Sequence, residues 1–305
     1  MYRCILKFII SICYLVFIQT FELIQADRNH ENIILGFKKE KYTMSNNKTA
    51  LITGASRGIG KAIAYEFARN GYDLYLTCKN NFDLLKELKA ELESIQNKTE
   101  NIQQKTENPK NLSPISSHPK CHIFQCDMGN INDVEKLFQM ISSLDVIVNN
   151  AGISHVGLLT DMSNEEWHHV MSTNLDSLFY TSKFGVPKML ACHKGKIINI
   201  SSVWGNTGAS MEVAYSASKG AVNSFTRALA KELAPSNIQV NAIACGMIDT
   251  DMNACFSEED LHYLIEEIPA DRIGHPGEVA RLCHMLAEAP EYMTGQIITI
   301  DGGWM

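Results

Sequence analysis

The sequence has no excess of positive charge. Its 27 lysines and arginines stand against 34 aspartates and glutamates, for a net charge of -7 and a pI of about 5.8. A surface able to neutralise a run of phosphates is therefore missing, and nucleic acid is not an expected partner. It also has no C-x-x-C pair: nine cysteines, odd in number, are scattered from Cys4 to Cys283. That usage fits reduced thiols in a cytosol-like compartment, so a cytoplasmic protein is expected. His118 and His122 are four apart, but they flank Pro119 and precede an apolar strand-like run, so no helix holds them as metal ligands and no metal site is read. The apolar run Phe8 to Ile18 has only eleven residues behind Arg3 and Lys7, too few for a comfortable membrane span. With 45% hydrophobic residues, 20% charged and a mean hydropathy of -0.10, the composition excludes a disordered, collagenous or polytopic membrane chain.

What is present is a regular alternation. Strand-like runs at 48–53, 73–78, 121–126, 145–149, 196–201, 238–244 and 296–300 alternate with helical patterns at 58–70, 81–96, 131–142, 164–190, 214–233 and 276–288. Such alternation implies right-handed crossovers and a parallel sheet covered on both faces. The expected fold is α/β, a doubly wound, Rossmann-like seven-stranded parallel sheet forming a single domain over 44–305. Two segments stand apart. Residues 1–43 read as an N-terminal extension: a secretion signal ending near Ala26, a membrane anchor, or a translated upstream segment before a start at Met44, the last being favoured because Met44 lies just ahead of the first strand. Residues 97–120 are polar, repeat Lys-Thr-Glu-Asn and hold Pro109, Pro114 and Pro119, so they read as a flexible surface insertion.

After the first strand comes Thr53-Gly54-Ala55-Ser56-Arg57-Gly58-Ile59-Gly60, then a helix. Glycines at a strand-to-helix turn let the backbone approach a pyrophosphate and aim free N–H groups at it. Where the second strand ends, an NAD-binding chain carries a carboxylate for the ribose hydroxyls. Here the residues are Thr77-Cys78-Lys79-Asn80-Asn81, with no carboxylate before Asp83. Lys79 and Arg57 are instead placed to bind a 2′-phosphate, so the expected cofactor is NADP(H).

Tyr215 and Lys219 are four apart on a helical pattern and hence neighbours on one face. An adjacent ammonium favours the phenolate of a tyrosine, which can then exchange a proton with a carbonyl oxygen, and Ser202 would hold the same oxygen. Together with Asn149-Asn150-Ala151-Gly152 after the fourth strand and Asn174 in Ser-Thr-Asn-Leu, these motifs resemble the short-chain dehydrogenase/reductase family from Met44 to Trp304. Within it the chain looks most like the 3-oxoacyl-[acyl-carrier-protein] reductases. The resemblance implies a catalytic set of Asn174, Ser202, Tyr215 and Lys219. Lys219 would also hold the nicotinamide ribose, with Asn174 steadying it through a water. It implies cofactor contacts at Gly54, Ser56, Arg57, Gly58, Ile59, Gly60, Lys79, Asp127, Met128, Asn150, Ala151, Gly152, Gly246, Ile248 and Thr250, Asp127 lying near the adenine. It also implies a homotetramer built through 164–190, 214–233 and the C-terminal segment.

One position departs from the family pattern: Cys245 precedes Gly246 where a proline is usual, and a buried, inert cysteine is the favoured reading. The implied substrate is a 3-oxoacyl group tethered to acyl carrier protein and reduced in fatty acid biosynthesis. The basic residues His193, Lys194 and Lys196 would meet the acidic carrier, although Ala234 to Asn237 carries no charge. His155, Trp204 and Trp304 and their neighbours are similar instead to 5-aminopentanone reductases acting on elongation factor P. A non-catalytic NADP-binding scaffold is the alternative of another class, and Tyr215 with Lys219 speaks against it.

With a start at Met44, mass spectrometry of the native protein should find the mature N-terminus there; peptides from 27–41 in the cellular protein would refute this.

Overall fold

Seven short segments rich in Val, Ile, Leu and Ala form the strands: β1 (Thr49–Ile52), β2 (Asp73–Cys78), β3 (Cys121–Gln125), β4 (Val146–Asn149), β5 (Gly195–Ser202), β6 (Ile238–Cys245) and β7 (Ile297–Ile300). The structure is a computed structural model that describes residues 47–103 and 120–305. The strands make one sheet in the order β3-β2-β1-β4-β5-β6-β7, every neighbouring pair parallel. β1, β4 and β6 are buried along their whole length, as strands covered on both faces must be.

The helices are α1 (Gly58–Arg69), α2 (Phe82–Gln103), α3 (Ile131–Met140), α4 (Asn164–Met171), α5 (Ser177–Leu190), α6 (Trp204–Thr207), α7 (Val213–Leu233), α8 (Glu258–Glu266) and α9 (Pro276–Ala287). Successive strand residues point to opposite faces. Ile52, Leu74 and Val148 thus pack with Ile63 and Phe67 of α1, Leu88 of α2 and Val279 of α9. Their neighbours Leu51 and Ile147 pack on the other face with Leu137 and Phe138 of α3, Met189 of α5 and Leu233 of α7.

Several elements differ from the sequence expectation, among them the short α6, where no helix was expected. The stretch 164–190 is not one helix: a π-helical turn, Ser172–Asp176, separates α4 from α5. α2 runs on to Gln103, so residues 97–103 of the polar segment 97–120 are helical, and Lys98, Glu100 and Gln103 are residue types that favour a helix. Residues 104–119, like 1–43, lie outside the described residues. α8 was not anticipated; it starts at a capping box in which Ser257 and Asp260 satisfy each other's backbone N–H, and none of its residues is buried. Among the described residues, no helix is long and apolar enough to cross a membrane.

A row of buried side-chain hydrogen bonds crosses the sheet below the strand ends. Thr181 Oγ1 donates to Asn149 Oδ1 at 2.8 Å, Asn149 Nδ2 to Asn199 Oδ1 at 2.8 Å, and Asn199 Nδ2 to Thr226 Oγ1 at 2.8 Å. It ties α5, β4, β5 and α7 together, with Asn149 and Asn199 at its centre. N199A would strand the amide of Asn149 and leave Thr226 without its donor, a loss of about 2–4 kcal/mol for two unsatisfied buried groups. Urea unfolding should show the midpoint falling with an unchanged slope. A loss under about 0.5 kcal/mol, within the range of an ordinary surface substitution, would show that the row does not hold the fold.

Candidate active site

The chain turns to opposite sides of β1 when it goes on to β2 and to β4, and at that reversal the carboxyl ends of the strands open a cleft of about 520 Å³. All the catalytic and cofactor-binding residues expected from the sequence line it except Gly60 and Asn174. Gly60 lies beneath the turn, where a Cβ would come within 2.3 Å of Gly54 O, so no other residue fits. Asn150 stitches this turn to the end of β4: its Nδ2 donates to Thr53 O at 2.9 Å and to Gly54 O at 3.0 Å. Thr53 Oγ1 in return accepts from Asn150 N and Ala151 N, both at 3.0 Å.

The residues fit a dinucleotide. No side chain caps the first turn of α1, and that turn carries no acidic residue, so its N–H groups suit an anion. Thr77 Oγ1 and Thr173 Oγ1, both on cleft-lining residues, are buried without a hydrogen-bond partner. The two cations expected at a 2′-phosphate face the cleft, but each is paired: Lys79 Nζ with Asp127 Oδ2 at 2.8 Å and Arg57 Nη1 with Asp251 Oδ2 at 3.2 Å. Asp251 escaped the sequence reading, since nothing local ties it to a residue 194 positions away.

At the other end, Ser202 closes β5 and Tyr215 and Lys219 stand on one face of α7. Ser202 hydrogen-bonds the Tyr215 phenol and accepts from Trp204 N at 3.2 Å. Burial raises the phenol above its ordinary value; Cys245 adds to this, the Ser202 hydrogen bond opposes it, and Glu212 adds again. Burial pushes the Lys219 ammonium down to about 8. Lys219 Nζ donates to Ile200 O at 2.8 Å and lies 5.6 Å from the phenol ring centre. Burial thus works against the phenolate that a neighbouring ammonium favours.

Asn174 occupies the π-helical turn and is buried. Its Oδ1 accepts from Ile153 N at 2.8 Å, while its Nδ2 donates to Ile153 O at 2.9 Å and to Ser218 Oγ at 3.0 Å. It thus clamps the loop after β4 to α7, and its direct partners are Ile153 and Ser218 rather than Lys219. A Cβ at Gly152 would sit 3.3 Å from Asn174 Oδ1 and 3.4 Å from Lys219 Nζ, so a glycine keeps the space between them open. Cys245 is 5% exposed and burial pushes its thiol up to about 12, in line with an inert cysteine. Gly246 N donates to Ile300 O at 2.9 Å, which holds the turn that follows β6. Glu212 Oε2 accepts from Ser154 Oγ at 2.8 Å beside the reaction end. Among the described residues, no group of three or more His, Cys, Asp or Glu side chains is arranged to hold a metal ion.

Residues 100–305 match the family described as enoyl-(acyl carrier protein) reductase, and residues 48–113 the family described as short chain dehydrogenase. YmfI of Bacillus subtilis strain 168, an uncharacterized oxidoreductase, is 38% identical over 260 residues, which cover 85% of this chain and 99% of the relative. The 3-oxoacyl-[acyl-carrier-protein] reductase FabG of Aquifex aeolicus is 38% identical over 261 residues, 84% and 96% of the two chains. Among solved structures, YwfH, an NADPH dependent reductase involved in bacilysin biosynthesis, superposes with a TM-score of 0.74 at 25% identity, covering 85% of this chain and 99% of its own. A putative NAD(P) dependent gluconate 5-dehydrogenase from Beutenbergia cavernae gives 0.73 at 31% identity, with 85% and 98% covered. With its Ser202, Tyr215 and Lys219 gathered at the end of such a cleft, and with whole-length relatives at this level of identity, the chain belongs to the short-chain dehydrogenase/reductase family and is an oxidoreductase.

Proposed function

We propose that the chain is an NADPH-dependent ketoreductase that converts a 3-oxoacyl thioester, borne by acyl carrier protein, into the 3-hydroxyacyl form. The observation that carries this reading is the single cleft with a proton donor at one end and two cations at the other. Support also comes from the relatives, several of which are named 3-oxoacyl-[acyl-carrier-protein] reductases at 34% to 38% identity. Solved neighbours described as an NADPH dependent reductase and as holding NADP support the cofactor.

The glycine-rich turn and the N-terminus of α1 would hold the pyrophosphate, Arg57 and Lys79 the 2′-phosphate, and Gly152, Lys219, Ile248 and Thr250 the nicotinamide half. The bound dinucleotide supplies the hydride. Ser202 and Tyr215 hold the ketone oxygen between two hydroxyls, and Tyr215 gives that oxygen its proton. A phenol kept protonated by burial is the right state for an acid acting in the reducing direction. Lys219, an ammonium at neutral pH, stabilises the phenolate left behind.

A second reading, reduction of a ketone that bears an ammonium, as in an aminopentanone group on elongation factor P, is favoured by two observations. The charge of Glu212 is felt at the phenol, and its carboxylate accepts from Ser154 Oγ. Of the cations at the start of β5 and just before it, Lys194 is already paired with Asp145 at 3.0 Å and Lys196 donates to Ala289 O at 2.7 Å, which leaves less charge for an acidic carrier. NADPH oxidation with carrier-bound acetoacetyl groups and with a free aminoketone decides between them. Fast turnover of the first, unaffected by Glu212→Gln, supports the thioester; turnover of the aminoketone alone, lost in Glu212→Gln, supports the second reading.

Tyr215→Phe should lose about 10² to 10⁴ in kcat, the range for removing a general acid, while NADPH still binds. Near-normal turnover would overturn the mechanism. Lys219→Ala should weaken both turnover and cofactor binding.

The Lys219 environment also sets a pH dependence. Its pKa falls from 10.5 to about 8 on folding, so the penalty for burying the ammonium is complete below pH 8 and fades as the pH rises towards 10, where the folded chain has shed the proton first. Lys219→Met should therefore melt higher than the wild type at pH 7, with the gap narrowing towards pH 10. A gap that stays constant across this range would contradict the assignment.

A further inference from the structure

We infer that Asp251 sets how strongly the cleft discriminates between a 2′-phosphorylated and an unphosphorylated dinucleotide, by holding the arginine that the 2′-phosphate needs. Arg57 stands at the N-cap of α1 and makes one contact with Asp251, Nη1 to Oδ2 at 3.2 Å, with the two side chains 61% and 65% exposed. Both residues line the cleft, one from the glycine-rich turn and one from the loop after β6. The carboxylate is presented by a fixed turn. Asp249 N donates to Gly274 O at 2.8 Å, Asn253 N to Thr250 O at 3.0 Å, and Asn253 Nδ2 to Ile248 O at 2.8 Å. That turn also lies close over the phosphate loop, since a Cβ at Gly58 would be 3.3 Å from Thr250 Cγ2.

A single contact between two exposed ions is weak and is easily exchanged. A phosphate dianion offers the planar guanidinium two parallel hydrogen bonds and twice the charge, so Arg57 changes partner when the 2′-phosphate arrives. Asp251 cannot follow, because its backbone is held. Its charge is left facing the dianion that displaced it. Asp251 thus opposes the phosphorylated cofactor twice, by competing for Arg57 and by repulsion, and the unphosphorylated one does neither. The pair of Lys79 with Asp127 differs, since Asp127 also fixes its own loop by accepting from Gly129 N at 3.0 Å.

This inference rests on the reading of NADPH as cofactor, and calorimetric titration of the full chain with NADPH and with NADH tests the two separately. D251N is expected to tighten NADPH about two- to five-fold, the size of an exposed ion pair, and to leave NADH unchanged. In an R57Q background only the repulsion remains, so the same substitution should tighten NADPH less than it does in the wild-type background and leave NADH unchanged. Equal tightening of both dinucleotides, an unchanged NADPH affinity in D251N, or a D251N effect just as large without Arg57 would each overturn the role of Asp251. D251A, checked by its melting curve, serves if D251N folds poorly. A wild type that binds NADH as tightly as NADPH would overturn the cofactor reading itself, whereas a clear NADPH preference with an inert D251N defeats only this inference.

Discussion

The reaction end of the cleft depends on where α7 lies along the sheet, and hydrogen bonds fix that position. Apolar packing alone would let a helix of this length shift or rotate at modest cost, because one aliphatic surface resembles the next. The bond from Asn199 to Thr226 forbids it, and so do Ser201 Oγ donating to Asn223 Oδ1 at 2.6 Å and Asn223 Nδ2 donating to Asn206 Oδ1 at 2.9 Å. The side chains that do chemistry lie one to three turns from these anchors on the same helix. Polar groups buried with full partners specify a register that hydrophobic area cannot.

With α7 fixed, the electrostatics of the site follow from burial more than from charge pairing. Desolvation moves the tyrosine up and the lysine down, so each leans towards its neutral form. A ketone oxygen that gathers negative charge between Ser202 and Tyr215 meets donors already oriented there, with no water shell to reorganise. At the opposite end the charges are exposed and paired, and there the interactions are weak, exchangeable and dependent on salt.

Much of this was legible in the sequence because the signals are local. A strand followed by closely spaced glycines, a tyrosine four residues before a lysine, and a serine ending an apolar run each identify themselves within a few positions. Seven strands and the cleft-lining residues emerge from such cues. What was not legible depends on distant contacts. That Arg57 faces Asp251, or that Lys219 donates to Ile200 O, follows only from the sheet order. The π-helical turn has no compositional mark, since Ser-Thr-Asn-Leu-Asp is compatible with a helix, and only the bonds of Asn174 to Ile153 and Ser218 explain why the helix widens there. α8 did carry a cue in Ser257 and Asp260, but with none of its residues buried it shows no apolar stripe to accompany the cap.

The widened turn at Ser172–Asp176 has a consequence for how the gene can change length. Each residue of a helix advances by about 100°, at 3.6 residues per turn. Losing one residue here would swing all of α4 by that angle about its axis, lifting the buried Val170 away from the core and carrying the Ser163–Glu166 capping box round with it. A deletion that looks harmless in an alignment, one polar residue from the middle of a long helix, is thus expected to be among the least tolerated, whereas point substitutions at the exposed Glu165 or His168 leave the phase intact. Asn174 sets the reading frame in which two helices share one axis.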